Sequence, residues 1–270
     1  MSTSPLLSVN DLTIRYGSNR SMKPAVDAVS FEIFPGETVA LVGESGSGKS
    51  SVARAIVGLN RVTSGSIVYD GEDLAARQSS ASRRRHRREI QMIFQDPFAS
   101  LNPRMRVGDI ISEPWKVNAG VVPRSQWGDR LGELMRQVGL DPTQARHYPA
   151  QFSGGQRQRI CIARALALEP RLVICDEAVS ALDVSIQAQI LNLLEELQDR
   201  LGLSYLFISH DLGVVRHMSN RVVVMYHGEI VESGPTEQIY EHPEMDYTKE
   251  LLAAEPSIEQ WRASVGLMPS

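Results

Sequence analysis

Cysteine, long apolar runs and excess positive charge are what this 270-residue chain has little of, and each scarcity removes a class of protein. Only Cys161 and Cys175 occur, both inside apolar segments, so they read as structural thiols of a reducing cytosol rather than a disulfide pair or a metal site. No apolar stretch approaches the roughly 18 residues that span a bilayer, so any membrane connection must come through a partner. The start, Met1-Ser2-Thr3-Ser4-Pro5, lacks the charged and apolar regions of a secretory signal. A net charge of −4 argues against a general binder of nucleic acid or anionic membrane. One basic run exists, Arg83-Arg84-Arg85-His86-Arg87-Arg88, but no second cluster or interleaved aromatics support it, and it reads as a solvated helix face. With 42% hydrophobic and 22% charged residues the chain can bury an ordinary core, so its function must be sought in its motifs.

The first motif is Gly43-Glu44-Ser45-Gly46-Ser47-Gly48-Lys49-Ser50, which fits the phosphate-cradle spacing G-x-x-x-x-G-K-[ST]. The apolar run Thr38–Val42 precedes it, and Ser51–Val57 comes after it as a helix stopped by Gly58. Strand, glycine loop and helix start thus occur in the order a phosphate site needs. The glycines let backbone wrap an anion, while loop N–H groups and the helix N-terminus supply partial positive charge. Lys49 adds a full charge near the terminal phosphates, and the Ser50 hydroxyl suits Mg2+. An ordinary glycine turn is the plainer alternative, and the lysine, serine and flanking elements weigh against it.

Around this loop the chain reads as mainly α/β. Leu7–Val9, Leu12–Ile14 and Val29–Ile33 look like short strands, and Pro35-Gly36 is a turn. Tyr16 ends one of these strands, where it could stack on an adenine ring or simply pack. Gly65–Gly71 is a strand ending in an Asp-Gly turn. Ile90–Phe94 reads as a buried strand delivering Gln95. From Asp96 to about Ala150 the character changes. Six prolines and an amphipathic stretch at Leu131, Leu134, Met135 and Val138 suggest a helical insertion. Gln151–Gln156 then opens a helix that runs through Leu166, and its Ser153-Gly154-Gly155 start is a second anion-binding arrangement. Leu172–Cys175 is apolar at every position, as in a parallel strand covered on both faces, and ends in Asp176-Glu177. Ile186–Leu201 is an amphipathic helix, and Leu203–Ile208 is a buried strand delivering His210. Arg221–Tyr226 turns at His227-Gly228 into a hairpin. His86, His147, His217, His227 and His242 read as surface or turn residues.

Lys49 with Ser50, Gln95, Asp176 with Glu177, and His210 all fall at the ends of apolar strands. Open parallel sheets bind ligands at that edge, so these groups are expected to converge on a phosphate chain. Phosphoryl transfer to water needs positioning, charge neutralisation and a group that orients the water. Asp176 suits Mg2+, Glu177 a general base, Gln95 the metal or the water, and His210 a hydrogen bond to the γ-phosphate.

Phosphate loop, Gln95, Phe152-Ser153-Gly154-Gly155-Gln156, Asp176-Glu177, Ser180-Ala181-Leu182-Asp183 and His210 resemble, in order, the motifs of the ATP-binding subunit of an ABC transporter. The resemblance covers residues 16 to about 235. It implies a P-loop NTPase core of α/β class (6–95 and 157–235) with an antiparallel β subdomain. It also implies an inserted α-helical subdomain (96–156) and a C-terminal extension (236–270), all within one ABC ATP-binding domain spanning 1–270. It assigns Gly43, Ser45, Gly46, Ser47, Gly48, Lys49 and Ser51 to the phosphates, and Ser50, Gln95 and Asp176 to Mg2+. Glu177 is implied to activate water, His210 to hold the γ-phosphate and Tyr16 to stack on adenine. Ser153, Gly154, Gly155 and Gln156 are implied to contact ATP bound to the opposite subunit, with Asp183 at the same junction.

Phe94-Gln95-Asp96-Pro97, Ser100–Arg104, Ser180–Ser185 and Tyr247-Thr248-Lys249-Glu250-Leu251-Leu252 further resemble the dipeptide, oligopeptide and nickel importer branch. Two departures stand out: Phe152 replaces the usual leucine, and Ala178 the usual proline after Glu177. The tail carries no cysteine, so an iron–sulfur cluster is unsupported. The resemblance implies a second ATPase subunit, with a heterodimer favoured over a homodimer, two permease subunits, and indirectly an extracytoplasmic solute-binding protein. It places the chain on the cytoplasmic face of the inner or plasma membrane and leaves the solute open. The alternative is a soluble ABC-type ATPase acting on ribosomes or DNA, which usually carries two cassettes, a coiled coil or a zinc module, none of which occurs here. A P-loop kinase or GTPase would lack the Ser153–Gln156 motif.

Overall fold

A computed structural model describes residues 4–17, 23–76, 78–118, 120–180 and 182–254 of the chain. Its central sheet grows from segments with no polar face. Thr38–Val42 (β3), Leu172–Asp176 (β7) and Ser204–Ile208 (β8) are buried at all five of their positions. A strand buried on both sides belongs in the middle of a helix-covered parallel sheet. They stand next to one another in the order β3-β8-β7, with Ile90–Ile93 (β6) beyond β7 and Arg221–Tyr226 (β9) beyond β3, all parallel. Glu229–Pro235 (β10) closes the β9 edge as an antiparallel hairpin partner. His227 and Gly228, at φ 48° and 93°, form its two-residue turn.

A second, antiparallel sheet is formed by Leu7–Ile14 (β1), Val26–Ile33 (β2), Ser64–Tyr69 (β4) and Glu72–Asp73 (β5), in the order β2-β1-β4-β5. The expected strands Leu7–Val9 and Leu12–Ile14 are one element. The register shifts between Val9 and Leu12, where Asp11 takes a left-handed φ of 47° and donates its N–H to Ser30 Oγ. That is a bulge, which asparagine and aspartate disguise as a turn. Likewise β2 begins at Val26, through Ala28 at φ 49°, whose N–H donates to Thr13 Oγ1.

The helices are Lys49–Ile56 (α1), Ser80–Glu89 (α2), Pro97–Ser100 (α3), Val107–Val117 (α4), Trp127–Gln137 (α5), Gly154–Leu166 (α6), Val184–Leu201 (α7), Leu212–Met218 (α8), Thr236–Glu241 (α9) and Asp246–Ala253 (α10). Within the helical stretch, Val107, Ile110, Ile111, Trp115, Leu134, Met135 and Val138 join one core with α6, α7 and the inner face of β7 and β8. Trp115 satisfies its indole N–H on the Ala167 carbonyl at 2.7 Å, so its ring can be buried without an orphaned donor. The α5 stripe is as expected at Leu134, Met135 and Val138, with Leu131 partly buried against the same core. Cys161 and Cys175 are buried free thiols, and burial pushes them up to about 11 and about 12, which suits inert core residues.

The basic run lies on α2 with Arg83, Arg84, Arg87 and Arg88 exposed. His86 corrects the surface reading: it is buried, edge-on to the Tyr69 ring at 5.6 Å, with Nδ1 3.2 Å from Gln78 Oε1. It is the one buried residue of α2, which otherwise presents exposed or half-buried side chains. His147, His227 and His242 are exposed and His217 is half-buried. The tail forms α9 and α10, and residues 255–270 of the expected extension lie outside the described residues. Among the described residues no helix is long and apolar enough to cross a membrane.

Candidate nucleotide site

The phosphate loop occupies the gap between the C-terminal end of β3 and α1, pressed between backbone on two sides. A Cβ on Gly43 (φ 142°) would lie 2.1 Å from the Met225 carbonyl oxygen, and one on Gly48 (φ 107°) 2.5 Å from that of Ala25. Both positions therefore require glycine on steric as well as torsional grounds. The Gly228 N–H donates to the Ser47 carbonyl at 3.1 Å, tying the β9–β10 turn to the loop. Ser45 and Gly46 remain exposed at the loop's crest, whereas Ser47 is buried. Lys49 folds back under the loop, donating to the Gly43 carbonyl at 2.6 Å, the Glu44 carbonyl at 2.8 Å and Ser47 Oγ at 3.3 Å. Its burial lowers its pKa, against the opposing pull of Glu177, Asp176 and Glu44.

The strand ends bring the other predicted groups together. Ser50 Oγ donates to Asp176 Oδ1 at 2.9 Å, so hydroxyl and carboxylate form a pair of hard oxygen donors at the start of α1. Burial raises the Asp176 pKa, with the Ser50 hydrogen bond and Arg54 pulling the other way. Glu177 has a left-handed φ of 49° and donates its N–H to the Ile208 carbonyl at 2.9 Å. That turn leads the chain off β7 immediately after the buried Asp176. A strained torsion at a strand end is found where surrounding structure enforces a functional geometry. Glu177 Oε2 accepts from Gln95 Nε2 at 2.6 Å and lies 3.5 Å from His210 Nδ1. One carboxylate oxygen thus gathers the ends of β6, β7 and β8.

Tyr16 reaches the same end of the molecule. Its hydroxyl donates to Ser51 Oγ at 2.9 Å and accepts from Asn60 Nδ2 at 2.7 Å, while its side chain is exposed. Sequence reasoning missed Asn60, which lies in the loop after α1 and carries no local signal. Ser153 caps α6 through a reciprocal box with Gln156: Ser153 Oγ accepts the Gln156 N–H at 3.3 Å and Gln156 Oε1 accepts the Ser153 N–H at 3.0 Å. Gly154 and Gly155 lie against Leu182 and Ile186. Asp183 caps α7 by accepting the Ile186 N–H at 3.0 Å, and that bond with the Ser185 hydroxyl lowers its pKa. Ser153–Gln156 and Asp183 form a neighbouring group of their own. Among the described residues no hydrogen bond joins them to the phosphate loop.

The donor set fits a nucleotide with its divalent ion: a glycine cradle that a Cβ would fill, a buried ammonium, and a hydroxyl paired with a carboxylate. A parallel sheet ending in this constellation, with a second glycine-led helix cap beside it, defines an ABC-type ATP-binding domain. Residues 26–180 match the family described as ABC transporter, and the chain belongs to it. It is an ATPase, with ATP as substrate and Mg2+ as the accompanying ion.

Among its relatives, the oligopeptide transport ATP-binding protein OppF of Bacillus subtilis (strain 168) is 49% identical over 94% of this chain and 83% of its own length. The glutathione import ATP-binding protein GsiA of Escherichia coli (strain K12) is 51% identical over 96% of this chain but only 42% of its own length. A solved dimeric post-hydrolysis structure of the ATP-binding cassette MJ0796, bound to ADP and Pi, superposes with a TM-score of 0.75 at 28% identity, covering 85% of this chain and 98% of that one.

Proposed function

We propose that the chain is the ATP-hydrolysing subunit that powers import of a peptide or similar small solute through a membrane permease. The observation that carries the proposal is the meeting of Gln95, Glu177 and His210 beside the Ser50–Asp176 pair and the phosphate loop. The loop Gly43–Ser51, through those of its N–H groups not already bonded within the protein, and the Lys49 ammonium bind the phosphate chain, and Tyr16 stacks on the adenine. Ser50, Gln95 and Asp176 would hold Mg2+, which supplies charge neutralisation on the phosphates when bound. Glu177 takes the proton of the attacking water as its oxygen bonds to the terminal phosphorus and the bridging oxygen departs with ADP. Gln95 and His210, both at the Glu177 carboxylate, orient that water and hold the terminal phosphate.

Ser153, Gly154, Gly155, Gln156 and Asp183 complete the site of a second cassette. Their hydrogen bonds close on themselves and leave the α6 start available to a partner. ATP then favours a closed pair because each nucleotide gains contacts from both subunits, and hydrolysis removes that advantage. A heterodimer with a sister cassette is the preferred form, with a homodimer as the other possibility.

The helical segment, 96–156 with its continuation in α6, transmits the motion from Gln95 to two permease subunits. A cavity of about 680 Å3 beside Gln95, lined by Leu59, Met92, Phe94, Ser100, Glu113 and Arg164, suits a permease segment. Its rim leaves Leu59 64% exposed, an apolar surface that contact with such a segment would cover. On this reading the chain sits peripherally on the cytoplasmic face, with a solute-binding protein acting from the other side. Peptide-class cargo is supported by the names of the relatives above.

Glu177→Gln tests the central assignment. It keeps the side chain's size and its bond with Gln95 or His210 but removes the base. ATP binding is expected to persist while turnover falls by about 10²- to 10⁴-fold, measured as phosphate release. Full ATPase activity in that variant would refute the role given to Glu177.

A further inference from the structure

The phosphate loop touches one group that none of these roles includes. Tyr247, near the start of α10, accepts a hydrogen bond from the Glu44 N–H at 3.1 Å. That N–H and the Gly43 carbonyl belong to one planar peptide unit and leave it in opposite directions. The Gly43 carbonyl accepts from Lys49 Nζ at 2.6 Å. A single peptide plane is therefore held at one edge by the tyrosine and at the other by the ammonium. The next carbonyl, that of Glu44, accepts from Lys49 Nζ at 2.8 Å and from the Ser47 N–H at 3.1 Å. Rotating the Tyr247-bound peptide would thus move the carbonyls that aim Lys49.

The helix that carries the tyrosine is itself fixed. Glu232 on β10 accepts the Glu244 N–H at 2.8 Å and the Met245 N–H at 3.2 Å, anchoring the chain where it enters α10. Leu251 and Leu252 pack against the cluster of Ala40, Val42, Val222 and Val224, beneath the end of β3. The Tyr247 ring lies against that of Tyr226, centroids 4.1 Å apart and planes tilted by 37°, which places the hydroxyl without using it. Burial raises the Tyr247 pKa, so the group stays a neutral phenol whose oxygen lone pairs face the Glu44 N–H.

We infer that Tyr247 is a positioning residue of the phosphate loop, through which helix α10 sets the ATP affinity of the site. The inference rests on the nucleotide reading of that loop. Its test uses the full 270-residue chain with Tyr247→Phe, which removes the hydroxyl and keeps the ring. The ATP dissociation constant and KM are expected to rise about three- to tenfold, the size of one lost hydrogen bond, while kcat stays within about twofold.

Tyr240→Phe is the matched control. It removes a tyrosine hydroxyl bond, to the Leu212 carbonyl at 2.5 Å, against the same cluster and away from the loop. It should lower the melting temperature and leave ATP affinity unchanged. Wild-type ATP affinity in Tyr247→Phe, or an equal loss in both variants, overturns the inference. Lys49→Ala separates the two levels of argument. If it binds ATP normally, the cradle reading itself fails and the inference falls with it. If it loses ATP while Tyr247→Phe does not, only the role of the tyrosine falls.

Discussion

Gly43 and Gly58 both adopt positive φ, at 142° and 74°, yet they carry different obligations. At Gly58 nothing lies within 4 Å of an added Cβ, so alanine meets only torsional strain, about 1–2 kcal/mol. At Gly43 the same methyl would sit 2.1 Å from the Met225 carbonyl, a distance at which the loop must move off β9. That movement would carry away the Gly43 carbonyl that binds Lys49. Gly43→Ala is therefore expected to weaken ATP binding at least ~10-fold, equivalent to about 1.4 kcal/mol, while Gly58→Ala lowers thermal stability and leaves binding intact. Isothermal titration with ATP on both variants decides it: equal affinities would mean that the loop tolerates displacement. The spacing of the motif singled out Gly43, but the partner that makes it sterically obligatory is a distant backbone oxygen on β9 that any residue could supply.

The strands of the central sheet were legible because a parallel strand buried on both faces has to be apolar throughout, and the chain emerges into the open where the strand ends. Gln95, Asp176-Glu177 and His210 were singled out that way, from the places where apolar runs end, and the Gln95 and His210 side chains meet at the Glu177 carboxylate. The antiparallel sheet was less legible. Asp11 and Ala28 bulge only because Ser30 and Thr13 receive their N–H groups, and such cross-strand bonds leave no trace in the local pattern. Helix α2 shows the same limit. A run of arginines concealed His86, which is buried by contact with Tyr69 from the sheet.

That burial lowers the His86 pKa, with Glu72 opposing it. The sign is set by linkage. The unfolded chain takes up a proton as pH falls below ~6.5, and the folded chain does so only at lower pH. Stability from this residue is complete above the unfolded value and is lost as pH falls toward the folded one, at no more than about 1.4 kcal/mol per pH unit. His86→Asn preserves a donor toward Gln78 and removes the titration. Urea unfolding at pH 7.5 and 5.5 should therefore show a smaller loss of stability in the variant than in the wild-type chain. Identical losses would mean that His86 titrates alike in both states.

At the scale of the whole molecule, two glycine-led helix starts, the anion sites proposed above, occur in one chain without meeting. The loop Gly43–Ser50 and the cap Ser153–Gln156 each complete their own hydrogen bonds, and among the described residues none joins one to the other. If each nucleotide is shared across a pair, the two motifs of one chain serve different sites, and damage to them should complement. Lys49→Ala disables the loop. Gly154→Asp places a carboxylate on the α6 start, where an added Cβ meets only Leu182 at 3.6 Å and the Ser153 cap survives. Each variant alone should lose hydrolysis. Where the chain pairs with itself, a mixed pair has both defects in one site and leaves the other site whole. An equal mixture, with half of the pairs mixed under random association, should recover about a quarter of wild-type sites. A site completed within one chain would recover nothing, because every molecule then carries a broken site of its own. A chain carrying both substitutions, paired with wild type, supplies the converse: sharing across the pair spoils both sites, whereas completion within one chain leaves the wild-type member active.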